Sequence, residues 1–557
     1  MCVTKINNDT KILILYRKRI AMDRKLRIRI LIVSLFLLFL IGIGTFFYMG
    51  IISRERTNEV NLYTLVPADC NAVFETSDLK SLINEIKCSE YAKEFSSLKN
   101  FRIINDLRTH YDTFMMLLPK ETSSRLNRIL ISFHSSGQEK DQVIYANTTS
   151  QDDGWIEERI RESRAIDFPI KKISYRGEKI RVCPMGGDLF LCYYKSSGFI
   201  AVSYSERLIK QVIDAHLNGK SILDNPSFGL SKGHKSFNGV ATLHVRSKQF
   251  GWSNLNIKFS KNAIRLSGSC ADADTSSSFI NALKEQTSVK LISRNDLPRY
   301  TYYAGELSIS SLEYIAANTA RQQYALSSFP DNVKEADIHL MHFLKAHASD
   351  RLTSMSFYPE DTIRRPFSII SIPVKDSLLA ERDMKQVMPG KEIMAVRSQI
   401  LYAGNNSYRL YLLPKNTIFE QLSGIKDPDL NSYVVFYKNL LLLAPDPMSI
   451  LSYISQMNNV SILKFDNPYN ECISHLSDNV SYIQMADLEE MNLHPECISR
   501  SIPDFFFQQI DFFKHFILCG QIVSKDRAIS SDVWLTYKVQ TDKSRLNTDS
   551  LLGAKQY

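Results

Sequence analysis

Residues 30–52 read ILIVSLFLLFLIGIGTFFYMGII, a run of 23 residues without a charge. As a helix rising 1.5 Å per residue this run is about 34 Å long, against a hydrocarbon core of about 30 Å. It is longer than the core of a cleavable signal peptide, and its exit side, Phe46-Phe47-Tyr48-Met49-Gly50, is bulky and aromatic where a cleavage site needs small residues. Ahead of it lie Lys5, Lys11, Arg17, Lys18, Arg19, Arg24, Lys25, Arg27 and Arg29 against Asp9 and Asp23, nine minus two, or +7. Cations on one flank place that flank in the cytoplasm. The expectation is a single-pass anchor, with the bilayer as its partner through residues 30–52 and everything after it outside the cytoplasm. Met22-Asp23-Arg24-Lys25 would itself open a normal signal anchor.

Of the formal charge of +9, only +2 remains for residues 30–557. A nearly neutral body carries no nucleic-acid footprint, and nucleic acid is excluded as a partner. The length of 557 residues exceeds one ordinary domain. Eight cysteines follow the run (Cys70, Cys88, Cys183, Cys192, Cys270, Cys472, Cys497 and Cys519) with no Cys-x-x-Cys pair, which argues against zinc or redox chemistry. Cys183 and Cys192 could face each other across one hairpin; buried free thiols are the alternative.

A pattern recurs along the body. Phe199-Ile200-Ala201-Val202-Ser203 matches Leu441-Leu442-Leu443-Ala444-Pro445 at an offset of 242, and Leu208, Ile209 and Val212 match Ile450, Leu451 and Ile454. The same offset joins Asp224-Asn225-Pro226 to Asp466-Asn467-Pro468 and Val240–Leu243 to Tyr482–Met485. Upstream, Tyr175-Arg176-Gly177 matches Tyr402-Ala403-Gly404, Ser132-Phe133-His134 matches Ser356-Phe357-Tyr358, and Val66-Pro67 matches Leu297-Pro298. In the first copy, strands are predicted at 71–75, 129–133, 142–146, 172–182, 189–194 and 199–204, and helices at 78–95, 155–162 and 206–217. Short turns between strands favour antiparallel pairing. The expected fold is α+β: a basic segment 1–29, a transmembrane helix 30–52, a linker 53–65, two tandem, duplicated, mainly antiparallel modules at 66–291 and 292–539, and a flexible tail 540–557.

The Val66-Pro67-Ala68-Asp69 opening, the Tyr-x-Gly strands, the Ala-Val-Ser strand leading into a helix, the Asp-Asn-Pro turn, and the closing Phe513-Lys514-His515-Phe516 and Trp534-Leu535-Thr536-Tyr537 resemble an uncharacterised family of single-anchor bacterial envelope proteins common in Bacteroidetes. The resemblance implies an inner-membrane anchor with a periplasmic body. It supplies no activity and no catalytic residues.

The residues themselves assign no catalytic, cofactor-binding or metal site. Ser77-Asp78-Leu79-Lys80 and Ser477-Asp478-Asn479 have penicillin-binding spacing, but no Lys-Thr-Gly completes the set, and Ser77 reads better as a helix N-cap. His339, His342 and His347, with Asp337 or Asp350, could share a metal; Ile338, Leu340, Phe343 and Leu344 make the same segment ordinary packed structure. Phe505-Phe506-Phe507, Phe512-Phe513 and Phe516 suit a core or an apolar groove. The leading expectation is a non-enzymatic binding or scaffold protein for an envelope partner or apolar ligand, with a cleft near residues 285–300. The alternatives are a hydrolase with scattered catalytic residues and a plain spacer. No cofactor is expected.

Overall fold

The computed structural model describes residues 60–97, 120–134, 141–149, 152–162, 169–186, 189–228, 240–247, 251–271, 283–284, 286–290, 296–310, 329–360, 365–384, 397–425, 429–463, 474–477, 479–495, 502–525 and 528–538. The segment 1–29 expected in the cytoplasm, the expected span 30–52 and the expected tail 540–557 lie outside them. Among the described residues no helix is long and apolar enough to cross a membrane.

Ten strands come from the first half: β1 (Ala72–Thr76), β2 (Ile129–Phe133), β3 (Gln142–Asn147), β4 (Lys171–Tyr175), β5 (Glu178–Gly186), β6 (Leu189–Ser196), β7 (Phe199–Ser203), β8 (Ala241–Ser247), β9 (Gly251–Phe259) and β10 (Ala263–Ala271). After the short β11 (Val289–Lys290), the second half supplies β12 (Thr301–Ser308), β13 (Arg351–Phe357), β14 (Phe367–Pro373), β15 (Arg397–Ala403), β16 (Asn406–Leu412), β17 (Tyr433–Tyr437), β18 (Leu440–Ala444), β20 (Tyr482–Asp487), β21 (Phe516–Lys525) and β22 (Ala528–Tyr537), with β19 (Asn479–Val480) pairing β11. The first ten lie in the order β4-β5-β6-β7-β3-β2-β1-β8-β9-β10, every neighbour antiparallel. The second set repeats that order as β15-β16-β17-β18-β14-β13-β12-β20-β21-β22.

The expectation of two separate α+β modules is corrected here. The last strands of the two halves, β10 and β22, pair antiparallel over seven residues, from Ala263↔Thr536 to Ser269↔Ser530. Among the described residues the result is one sheet of 20 strands, and the body from Asn61 onward is one compact unit. An unpaired strand edge leaves a row of N–H and C=O groups without partners, and pairing the two edges removes both rows at once. The seam is also held by side chains: Arg265 donates to both carboxylate oxygens of Asp532, at 3.0 and 2.7 Å. Its guanidinium lies 5.2 Å from the Trp534 ring centre, and His475 stacks on that ring at 4.1 Å. The halves therefore join edge to edge, and residues 286–290 and 296–300 form a short strand and turn structure beside the sheet.

Helices cover both faces. On one face lie α1 (Leu79–Lys87), α2 (Asp153–Glu162), α4 (Asp331–His347) and α5 (Ser377–Met384); on the other lie α3 (Glu206–Asn218) and α6 (Pro447–Asn458). Several start where a side chain satisfies orphan amides, though α4, which follows Pro330, has no side-chain cap. Asp78, and not Ser77, caps α1 by accepting from the Ser81 amide, and Ser205 and Asp446 cap α3 and α6. Gly219 closes α3 at φ +67°, a left-handed turn that favours glycine.

These caps fix the correspondence between halves. The buried positions of α3 are Leu208, Ile209, Val212, Ile213 and Ala215, and those of α6 are Ser449, Ile450, Tyr453, Ile454 and Gln456, each pair 241 apart. Ser203 and Ala444, which end β7 and β18, give the same 241 by subtraction. The offset of 242 is thus one residue out. In a strand that slip exchanges the faces: Leu442 packs under α6, while Leu443 joins the core beneath α4.

Among the described residues the second half carries insertions that the first lacks: the helix Ile418–Ser423 between β16 and β17, where β5 and β6 are only two residues apart, and another after β20. Between β8 and β9 the described chain leaves only three residues, whereas α7 (Leu488–Leu493), α8 (Asp504–Gln508) and α9 (Ile510–Phe513) intervene between β20 and β21. Phe505 and Phe512 of this insertion reach the other half, meeting Phe133 at 5.3 Å and Phe95 at 4.7 Å between ring centres.

Candidate functional site

The described part of the molecule offers two hollows and one side-chain relay whose serine and histidine are buried. The larger hollow is an open cleft of about 600 Å3 over β5 and β6, lined by Gly177, Lys179, Arg181, Tyr193, Lys195 and Ser197 among others. Its volume lies within the range usual for small-molecule sites, about 300–1,000 Å3. Alternation along the strands builds it. Residues two apart share a face, so Lys179 and Arg181 of β5 stand beside Tyr193 and Lys195 of β6, with Lys172 of β4 directly opposite Arg181. The floor is Tyr193, which is 1% exposed. Turns at Gly177 (φ +83°) and Gly198 (φ +95°) form the rim.

Helix α2 sends one carboxylate, Glu157, across this face. It pairs directly with Arg181 and lies 4.0 Å from the Lys195 ammonium. Arg181 also donates to the Tyr193 hydroxyl at 3.3 Å. That hydrogen bond first, and Glu157 second, raise the Arg181 pKa further, while burial raises that of Tyr193. Lys172 and Lys179 are exposed and have no carboxylate partner among the described residues.

The second hollow is an apolar cavity of about 100 Å3 between α1, the sheet and the α8–α9 insertion, walled by Leu82, Ile131, Phe133, Phe505, Phe512 and their neighbours. The phenylalanine cluster predicted as core or groove is here: Phe505, Phe506, Phe512, Phe513 and Phe516 are buried. They form the packing that spans the halves, and the hollow they leave has room for only a few methylene groups.

The relay runs Asp69, His134, Ser132. Asp69 Oδ1 lies 3.0 Å from His134 Nδ1, and His134 Nε2 lies 3.0 Å from Ser132 Oγ. The order and distances match those of a serine-hydrolase triad. Its surroundings differ. Ser132 is fully buried in β2, and its oxygen is also 3.1 Å from the Tyr145 hydroxyl. The hydrogen bond to His134 holds the Asp69 carboxyl below the usual range, opposed by partial burial.

Other residues singled out in the sequence do not converge. His339 pairs with Glu335 at 3.8 Å and His347 with Asp383 at 3.3 Å, while Asp337 is buried against the Thr417 amide and hydroxyl at 2.7 Å. No cluster suited to a metal occurs among the described residues. Ser77 and Lys80 are exposed; Ser477 bonds to Gln521 on β21 at 2.8 Å. Cys183 and Cys192 lie on neighbouring strands, but Cys183 faces Leu191 and Val182 faces Cys192, so the two sulfurs point to opposite faces and neither is in a disulfide. Reading by spacing missed both the cationic face and the relay. The signal for the first was the alternation Lys179-x-Arg181 and Tyr193-x-Lys195; for the second there was none, because Asp69 and His134 are 65 residues apart.

The chain was compared with family models, with curated proteins and with solved structures. None matches.

Proposed function

We propose that this is a non-enzymatic binding protein of the bacterial envelope, tethered by residues 30–52 with its body in the periplasm. The cleft over β5 and β6 is its ligand site. The observation that carries the binding reading is the cleft itself: ligand-sized, open, and lined by hydrogen-bond donors, with Arg181 paired to Glu157 and, among the described lining residues, no nucleophile hydrogen-bonded to a base. The anchor rests on the apolar run and its cationic flank, and the resemblance to single-anchor envelope proteins points the same way. A reporter fused to the carboxyl end tests the topology. Activity outside the cytoplasm and silence within it is expected, and the reverse would end the envelope reading.

A second reading, a hydrolase, has one specific observation in its favour, the Ser132–His134–Asp69 relay. Acyl transfer requires substrate to reach the serine oxygen and donors to await the oxyanion. Ser132 sits in mid-strand, covered on its own face by the element that begins at Ser205. A fluorophosphonate probe distinguishes the readings: absence of labelling at Ser132 in the native protein favours binding, and stoichiometric labelling lost in S132A would establish the hydrolase.

A further inference from the structure

We infer that the cleft over β5 and β6 binds a small polar ligand through a carboxylate, gripped by the Nε and Nη2 edge of Arg181. The inference rests on the reading of this cleft as the ligand site and adds the chemical group that it recognises. Its starting point is the guanidinium itself. Arg181 makes two hydrogen bonds to described residues, to the Glu157 carboxylate and to the Tyr193 hydroxyl, and Nη1 donates both. Nε and Nη2 donate to no described residue. Both reach solvent: the side chain is 31% exposed, and neither nitrogen is buried.

That edge is the one this protein uses elsewhere to hold carboxylates. Arg125 reaches Asp152 with Nε at 3.0 Å and Nη2 at 2.7 Å. Arg265 reaches Asp532 across the seam with the same two nitrogens at the same two distances. Nε–H and Nη2–H point the same way in one plane, spaced to meet the two oxygens of a carboxylate, so the pair docks as a fork. Arg181 differs from these two in that its fork holds no described carboxylate, and it lines the cleft.

What surrounds the fork favours an anion. Lys172 lies directly opposite Arg181 on β4, and Lys179 is two residues along β5 on the same face. Both are exposed and have no carboxylate partner among the described residues. Lys195 is not counted with them, because it lies 4.0 Å from Glu157. Glu178, at the rim, alternates to the other face beside Tyr194. The matching hairpin of the other half forms without such lysines: Arg409 has Ile400 directly opposite and Ser407 two residues along. The two lysines are what the first half adds. A planar group with two oxygens fills the fork, whereas a phosphate brings a second charge toward Glu157, which already shares the guanidinium. The rest of the cleft, about 600 Å3, has Tyr193 as its floor and Ser196 and Ser197 at its rim, which suits a small polar body. Acidic sugars and the carboxyl ends of short peptides share this chemistry.

The test uses the full chain in neutral detergent and two acids with their neutral counterparts, glucuronate with glucose and N-acetyl-alanyl-alanine with its amide. Inorganic phosphate is the fifth probe. Calorimetry and the thermal unfolding midpoint follow each. Saturable binding is expected for at least one acid, at least about tenfold tighter than for its neutral counterpart or for phosphate. R181K keeps the charge but loses the fork, and should bind that acid at least about tenfold more weakly. Arg181 also meets Glu157 and Tyr193, so K172Q/K179Q, which changes two exposed residues, serves where R181K does not fold. It should unfold at the parent's temperature, bind about twofold to fivefold more weakly and lose less affinity with added salt. Unchanged binding in R181K overturns the inference, as does unchanged affinity and salt dependence in K172Q/K179Q where that variant stands in. So does equal binding of the acids and their neutral counterparts, or tighter binding of phosphate; these two results leave the cleft as a ligand site. Saturation by none of the five probes at millimolar concentration removes the inference and the cleft reading together. Binding of glucuronate alone identifies an acidic sugar, of the dipeptide alone a peptide end, and of both the bare carboxylate; each supports the inference. The topology and serine-probe results stand or fall separately.

Discussion

Gly268 lies at the centre of β10, paired to Leu255 on one side and to Ser531 across the seam on the other. A methyl group there would overlap the Asn254 carbonyl oxygen and approach its carbon to 2.9 Å and the Leu255 Cα to 3.2 Å. All three atoms are backbone, held by ladders on both sides, so relief requires β9 to move away from β10. Overpacking of this kind typically costs about 1–3 kcal/mol, and the rigid neighbour puts G268A at the upper end. Replacing a strand glycine by alanine also returns about 0.5–1 kcal/mol of backbone entropy, leaving a net loss of about 2 kcal/mol. Gly520 is the internal control: its added methyl would meet only the Gln484 and Val533 side chains, at 3.5 and 3.6 Å, which is ordinary contact. Denaturant midpoints should therefore fall for G268A and hold or rise for G520A. Hydrogen exchange read by mass spectrometry adds where the loss is felt. With one continuous sheet, protection should fall in β21 and β22 as well as in β8 and β9. Equal midpoints for the two variants would refute the steric reasoning, and unchanged exchange in β21 and β22 would refute the coupling across the seam.

Two further outcomes follow from described contacts. Phe512 belongs to the second half but its ring lies 4.7 Å from that of Phe95; F512A should cost about 3–5 kcal/mol and raise exchange in α1 and β2, and a loss confined to the second half would contradict the cross-half packing. The Asp69 carboxyl is held low by His134, so in the folded state it stays ionised to lower pH than in the unfolded chain. Its contribution is present above about pH 4 and is lost as pH falls through the folded value. D69N should therefore lower the unfolding midpoint at pH 6 more than at pH 3, and an equal loss at both would show that the carboxylate's charge is irrelevant.

The central strands show how far the sequence could be read and why it stopped. Leu441-Leu442-Leu443-Ala444 is apolar at every position because β18 is buried on both faces, and a strand without alternation carries no mark of register. The caps did carry one. Ser205 and Asp446 are both strong N-cap residues, and pairing them instead of the apolar runs gives 241 directly. The first helix, predicted over 78–95, ends at Lys87 because the Ser89 hydroxyl takes the Ile86 carbonyl at 2.7 Å and the Glu90 amide goes to Lys261 on the β9–β10 turn at 2.7 Å. The second of those partners is 171 residues away and invisible to local pattern. The seam was illegible for the same reason: nothing in the residues of β10 or of β22 says that either strand pairs with the other. The cationic face lay between these extremes. Its lysines alternate in plain sight, but only the pairing of β5 with β6 turns two spaced pairs into one surface.

The seam between β10 and β22 has a consequence for how this gene can change. Each half shields the other's sticky border, so neither is expendable. A shortened descendant keeping only one half would expose a long bare ladder. Two such molecules could cover it only by meeting around a twofold axis, as β10 and β22 now meet within a single chain. Fusion of the halves fixes their ratio at one to one and removes the dependence of that closure on concentration. It also frees the two halves to diverge, one gathering lysines over its outer strands while the other, with Ile400 and Tyr402 exposed, went a different way.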